Sequence, residues 1–233
     1  MWYTIRVFLI PKSRDLAYPN LTGRTLKLER QIKVFENALA NVRVIYTGLW
    51  RIENSKRIYM PSQKISKKEG QINKEILTGN FISMVTVLIR IECFKYAGSF
   101  DEALPRLQDW ELFVRFSKCY EFKYIDEPLV ISYFTPNSIS SKRDALIKAY
   151  KMILDKHFRD FERNRKLLAS IYYSIGNLMC QNGDYKNGKE YIFKSIKLNP
   201  FKFSYLAAAF MSKLGEDNYE KAVQIKNKIF SRN

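Results

Sequence analysis

Leu26, Leu28, Ile32, Phe35 and Leu39 recur at steps of about three to four residues with charges between them, which predicts a helix from Thr25 onward. Val42–Trp50 alternates apolar and polar positions well enough to predict a strand, with Lys56–Met60 as its hairpin partner across Glu53-Asn54-Ser55. Asn73–Leu77 reads as a short helix ending at Gly79, and Val85–Ile89 as a buried β-rich strand. Ile91–Ala97 reads as a helix stopped by Gly98. Leu107–Cys119 is amphipathic, with Trp110, Leu112, Phe113 and Phe116 on its apolar side. Phe122–Phe134 is strand-rich but broken by Asp126-Glu127-Pro128. After Ser138–Ser141 the pattern turns helical from Arg143 to the end. The first 23 residues offer only a short candidate strand, Ile5–Ile10. An α/β portion followed by an all-α portion is the architecture these periods predict.

The helical tail carries a finer pattern. Ala169–Lys202 contains Tyr172, Ile175, Gly176, Met179, Gly183-Asp184-Tyr185, Gly188, Ile192, Ser195 and Pro200. This spacing resembles a tetratricopeptide repeat, a hairpin of two helices that needs small residues where they cross. Gly176, Gly188 and Ser195 hold the small positions and Pro200 closes the second helix. A weaker copy spans Phe203–Phe230, with Gly215, Tyr219 and Ala222 as landmarks. So few repeats do not make a free-standing solenoid.

Composition adds charge to this picture. Forty Lys and Arg stand against 23 Asp and Glu, a formal net charge of +17. Such a balance attracts polyanions, but purely basic runs stop at pairs such as Lys67-Lys68 and no nucleic-acid motif accompanies them. Cys93, Cys119 and Cys180 are widely separated and odd in number, so neither a zinc site nor a disulfide framework is indicated. A reducing compartment fits that usage. His157, the one histidine, sits at helical spacing among apolar and basic residues and reads as half-buried and structural. The largely apolar stretch Phe81–Ile89 is about half of what a membrane span needs. A cytoplasmic protein, at most peripheral at a membrane, is the expectation.

Several segments, in order, resemble family 2 glycosyltransferases of the GT-A fold. Lys27-Leu28-Glu29-Arg30-Gln31 is similar to the K-L-E-x-Q helix start, and Val44-Ile45-Tyr46-Thr47-Gly48 to the strand that follows it. Gly79-Asn80 with Val87-Leu88-Ile89-Arg90 resembles the G-N and s-x-l-x-R segment before the acceptor site. Gly98-Ser99-Phe100-Asp101-Glu102 is similar to the G-G-F-D-E loop. Leu107-Gln108-Asp109-Trp110-Glu111-Leu112 with Arg115 resembles E-D-W-x-L-x-x-R. Ile125-Asp126-Glu127-Pro128-Leu129 and Asn137-Ser138-Ile139-Ser140 resemble the closing strand and S-I-S turn. The resemblance covers residues 25–141. It implies a partial GT-A-like mixed sheet with flanking helices, followed by the tail at 142–233 with its repeat at 169–202.

The resemblance implies an inverting transfer of sugar from a nucleotide-sugar donor to a saccharide or lipid-linked hydroxyl acceptor, with Asp109 as the base that deprotonates the acceptor. At a helix start, the dipole and free N–H groups would keep Asp109 ionised; a plain N-cap is the competing role. Gln108 stands where the family has Glu. Trp110 offers a flat face on which a sugar could stack, or a side chain for the core. Asp101 and Glu102 would line the acceptor side or simply serve the turn after Gly98. Arg115 could reach a phosphate, although Glu111 one turn back is the nearer partner.

The donor side does not carry over. The family holds Mg or Mn with a D-x-D segment that precedes the K-L-E helix, whereas Asp15 is the sole acid before Glu29. The aromatic-proline lead-in is replaced by Leu21-Thr22-Gly23-Arg24-Thr25. Thr135-Pro136 stands where a His often precedes the S-I-S turn. Residues 1–24 therefore stay unassigned, no metal or cofactor ligand is named, and a truncated or mis-started product lacking the donor half is expected. An exposed sheet edge beside Val42–Trp50 would mean a lost half rather than a rebuilt one. The alternative is a non-catalytic module that binds a protein partner through its helical tail.

Overall fold

A computed structural model describes residues 21–53, 56–133 and 143–213, with side-chain placement for residues 26–212 within those limits. The candidate strand Ile5–Ile10, the turn at Asn54-Ser55, the Asn137–Ser140 motif and the landmarks Gly215, Tyr219 and Ala222 lie outside the described residues.

The chain divides into two compact units, residues 1–103 with 107–139, and residues 104–106 with 140–233. In the first, helix α1 (Leu21–Glu36) begins four residues earlier than its apolar period suggested. Its Leu28, Ile32 and Phe35 pack with Val42, Ile45 and Leu88, which is why the three- and four-residue steps exist. Gln31, on the same helix, is fully buried. Its side-chain amide serves the sheet: Nε2 donates to the carbonyls of Ile45 (3.1 Å) and Thr86 (2.9 Å). One turn earlier, Lys27 Nζ donates to the Val85 carbonyl (2.8 Å). The K-L-E-x-Q pattern thus places two donors at i and i+4 on one helix face, where they satisfy the Ile45 carbonyl and two carbonyls of residues 84–86, just before the Val87–Ile89 strand.

Strand β1 (Val42–Glu53) is the middle of a mixed four-stranded sheet. Antiparallel strands β2 (Lys56–Met60) and β3 (Val87–Ile89) pair with its two ends, β3 entering through a 3-10 turn at Met84–Thr86. Strand β4 (Glu121–Tyr133) runs parallel to β1 over nearly its whole length. The edges of β1 are therefore paired on both sides, by β2 and β3 on one and β4 on the other. Burial also runs unbroken from Val44 to Leu49 rather than alternating, because both faces of this stretch are covered. Gly48 sits where a Cβ would come within 2.9 Å of Tyr59 Cζ and 3.1 Å of the Glu127 carbonyl. Its bare backbone lets Tyr59 cross the strand to Tyr124 and Asp126. The Asp126-Glu127-Pro128 interruption does not break β4. It bulges, the register stepping from Thr47↔Ile125 to Gly48↔Pro128, and the bulge accommodates a proline that has no N–H for a ladder.

Short helices α2 (Asn73–Ile76) and α3 (Glu92–Ala97) precede α4 (Gln108–Cys119), whose Trp110, Leu112, Phe113, Val114 and Phe116 are all buried.

The second unit is helical: α5 (Arg143–Lys156), α6 (Phe158–Glu162), α7 (Arg165–Gln181), α8 (Tyr185–Leu198) and α9 (Phe203–Lys213). Asn164 caps α7, its Oδ1 accepting from the Lys166 and Leu167 amides (3.0 and 3.3 Å), and Asp184 caps α8 through the Asn187 amide (3.3 Å). Gly183, at φ 87°, reverses the chain between them. The two helices touch at their glycines. A Cβ on Gly176 would meet the Gly188 carbonyl at 2.7 Å, and one on Gly188 would meet Cys180 Sγ at 2.5 Å. His157 is buried, not half-buried, at the α5–α6 junction.

Candidate functional site

Residues 97–109 carry most of the chemistry that the sequence singled out. Helix α3 ends at Gly98, which adopts φ 79°, a conformation that glycine reaches without steric cost. The chain then runs through Ser99, Phe100, Asp101 and Glu102. Phe100 approaches the Phe94 ring at 6.4 Å between centroids, and Phe94 in turn meets Phe116 edge-on at 5.3 Å. Asp101 Oδ1 accepts from the Ala103 amide (3.0 Å), a local turn bond. Just before α4, Leu107 sits at φ 62°, the one non-glycine residue in the left-handed region among those described. A leucine there is strained by about 1–2 kcal/mol, and such strain clusters at functional sites.

An open recess of about 330 Å³ collects Met84, Phe100, Asp101, Glu102, Gln108 and Asp109. Four of the six candidate residues therefore share one concavity. Asp109 is its anchored member: Oδ2 accepts from Asn80 Nδ2 (3.0 Å) and Oδ1 from the Trp110 amide (2.8 Å). Burial pushes its carboxyl above the usual aspartate range, and these hydrogen bonds only partly offset it. Burial thus opposes the ionisation that the helix start was expected to favour. The cap residue is Leu107, so Asp109 lies two places inside the helix rather than at the cap.

Trp110 and Arg115 lie elsewhere. Trp110 is 2% exposed, and its indole N–H donates to the Ile76 carbonyl at 2.7 Å. It is a core side chain with a satisfied polar edge, not a platform for a sugar. Arg115 is engaged by Glu111, with Nε 3.0 Å from both carboxylate oxygens and Nη2 2.8 Å from Oε2, so it is not directed at a phosphate.

Asn80 belongs with the candidates, although the sequence offered only its place in the Gly79-Asn80 pair. Its Nδ2 holds Asp109, while its Oδ1 is buried with no hydrogen-bond partner among the described residues. The strain at Leu107 gave no sequence signal, because nothing in leucine's chemistry marks a left-handed residue.

A larger recess of about 600 Å³ lies along α1 and β4, with Arg30, Lys33, Lys123, Glu69, Glu121 and Glu127 among its lining residues. Its charges are largely engaged with one another, Lys123 Nζ to Glu69 at 2.9 Å and Arg30 Nε to Glu127 at 3.9 Å. It holds no buried carboxyl comparable to Asp109, so size does not make it the better site.

No group of three His, Cys, Asp or Glu side chains that could hold a metal ion occurs among the described residues. No helix among the described residues is long and apolar enough to cross a membrane.

No protein-family model matches the sequence. Over 122 residues, 51% of the chain, it is 34% identical to an uncharacterised glycosyltransferase of Rickettsia typhi and, over the same length, 33% identical to one of Rickettsia prowazekii. The match covers 36% of each relative, so the chain spans little more than a third of the length of the curated proteins it resembles. Half of this chain is thus similar to proteins named as glycosyltransferases.

Proposed function

We propose that the first unit is the acceptor side of a family 2, GT-A-type glycosyltransferase, in which Asp109 takes the proton from an acceptor hydroxyl. The observation that carries this reading is the anchored, partly desolvated carboxyl of Asp109 in a recess it shares with Asp101, Glu102 and Gln108. A carboxyl whose proton affinity is raised is a stronger base, and the fixed hydrogen bonds from Asn80 and the Trp110 amide set its direction. The similarity to the two rickettsial proteins supports the same class.

In an inverting transfer, the acceptor O–H bond breaks as its proton passes to an Asp109 oxygen. The acceptor oxygen bonds to the anomeric carbon, and the carbon–oxygen bond to the nucleoside diphosphate breaks, its electron pair leaving with the phosphate. Asp101 and Glu102 offer acceptors for the sugar hydroxyls, and Gln108 offers both a donor and an acceptor.

The test is transfer of labelled sugar from UDP-, GDP- and dTDP-sugars to a panel of hydroxyl acceptors, with Mg or Mn present, by the chain and by Asp109→Asn. Any transfer that the chain supports is expected to invert the anomeric configuration and to fall roughly 10²–10⁴-fold in the variant. Equal transfer by the chain and by Asp109→Asn, or retention of the anomeric configuration, contradicts the proposal.

A second reading is favoured by α9, where Phe203, Leu206 and Phe210 stand exposed at helical spacing while Tyr205, Ala208 and Ala209 are buried. In that reading the helical unit binds a protein partner. Phe203→Ser with Phe210→Ser would abolish partner capture and leave transfer intact, whereas unchanged capture would rule the stripe out.

A further inference from the structure

The geometry points to Arg115 as a positioning residue that clamps the Gly98–Glu102 loop to α4 and so fixes the floor on which an acceptor would lie. The inference deepens the proposed function and rests on reading the recess as the acceptor side. A guanidinium carries five N–H groups in a rigid fork. Here Nε and one Nη2 hydrogen go to Glu111. The remaining three reach main-chain carbonyls: Nη1 to Ala97 and Gly98 (the latter at 3.1 Å), and Nη2 to Ser99 at 2.7 Å. Every donor is used, and three of the five go to consecutive carbonyls at the end of α3.

That arrangement explains two neighbouring residues. Glu111 is completely buried, which an ionised carboxylate tolerates only when closely paired. It holds the guanidinium flat, so the far side of the fork faces the loop. Gly98 is required twice over. Its φ of 79° suits glycine, and a Cβ there would lie 3.2 Å from Arg115 Nη1, crowding the clamp.

The consequence is positional. The clamp ties carbonyls 97–99 to a helix whose first turn carries Gln108 and Asp109, while Asp101 and Glu102 follow within three residues of the last tied carbonyl. The base and the loop carboxylates are thereby referred to one rigid element. Lysine keeps the charge at this position but has three donors and no planar fork, so it cannot hold Glu111 and three carbonyls together.

The test is hydrogen exchange of the full chain and of Arg115→Lys, followed by mass spectrometry of peptides spanning 97–103, α4 and the helical unit. We expect exchange in 97–103 to rise about tenfold or more, as befits the loss of charge-assisted bonds, with the helical unit unchanged. Gly98→Ala gives the same local signature from the loop side, should the lysine variant fold poorly. Unchanged exchange at 97–103 in both variants, or a rise spread evenly over the unit, overturns the clamp. This readout needs no activity, so equal transfer by Asp109→Asn would sink the function and leave the clamp standing. Where transfer is seen, Arg115→Lys should raise the acceptor KM severalfold and leave in place the acid limb set by Asp109. A lower kcat with an unchanged KM would contradict a positioning role.

Discussion

Asp109 titrates in an environment that favours its protonated form, since burial raises its pKa more than Asn80 and the Trp110 amide lower it. Ionising it inside the fold therefore costs stability, a cost absent at acid pH and present once the pH passes its unfolded-state pKa, growing until the folded-state pKa is reached. Asp109→Asn stays neutral throughout. Its melting temperature relative to the parent should thus be more favourable at pH 7 than at pH 4, even though transfer is lost. A difference that is constant or reversed between those pH values would mean that Asp109 is not desolvated. Trp110 behaves oppositely: it is a structural residue, and Trp110→Ala should cost about 3–5 kcal/mol in denaturant unfolding, with the Ile76 carbonyl left unpaired. A cost below about 1 kcal/mol would contradict its place in the core.

The helical hairpin shows how one atom decides whether two elements approach. A Cβ at Gly188 would lie 2.5 Å from Cys180 Sγ and 2.9 Å from the Gly176 carbonyl, so α7 and α8 would have to move apart. Gly188→Ala should destabilise the helical unit by roughly 1–3 kcal/mol, read as lost exchange protection in α7 and α8. Undiminished protection would show that the glycines are not a close crossing. This contact was legible in the sequence because glycine weakens a helix interior, and one glycine inside each of two successive helices, Gly176 and Gly188, marks where two backbones meet. The sheet was legible as strands but not as a topology. Periodicity pointed to β1 as alternating, whereas α1 on one face and the Tyr46, Tyr59 and Tyr124 cluster on the other bury it on both sides. The site was legible where chemistry and spacing coincide, as in Arg115 one turn after Glu111. It was obscure where backbone conformation carries the information, as at Leu107, or where a distant strand-flanking residue such as Asn80 supplies the partner.

In the molecule as a whole, an α/β unit bearing a carboxylate-lined recess is followed by a helical unit with a core of its own. The net charge of +17 favours the approach of anionic molecules at low ionic strength. The proposed chemistry depends on a single protonation state, that of Asp109. Removing the Asn80 hydrogen bond, which favours the ionised form, must raise the Asp109 pKa further. The pH dependence of sugar transfer by the chain and by Asn80→Ala therefore decides whether Asp109 is the base. An acid limb above the ordinary aspartate range, displaced to still higher pH in the variant, is the predicted result. An acid limb at the usual aspartate position, or one that Asn80→Ala leaves in place, would contradict that role.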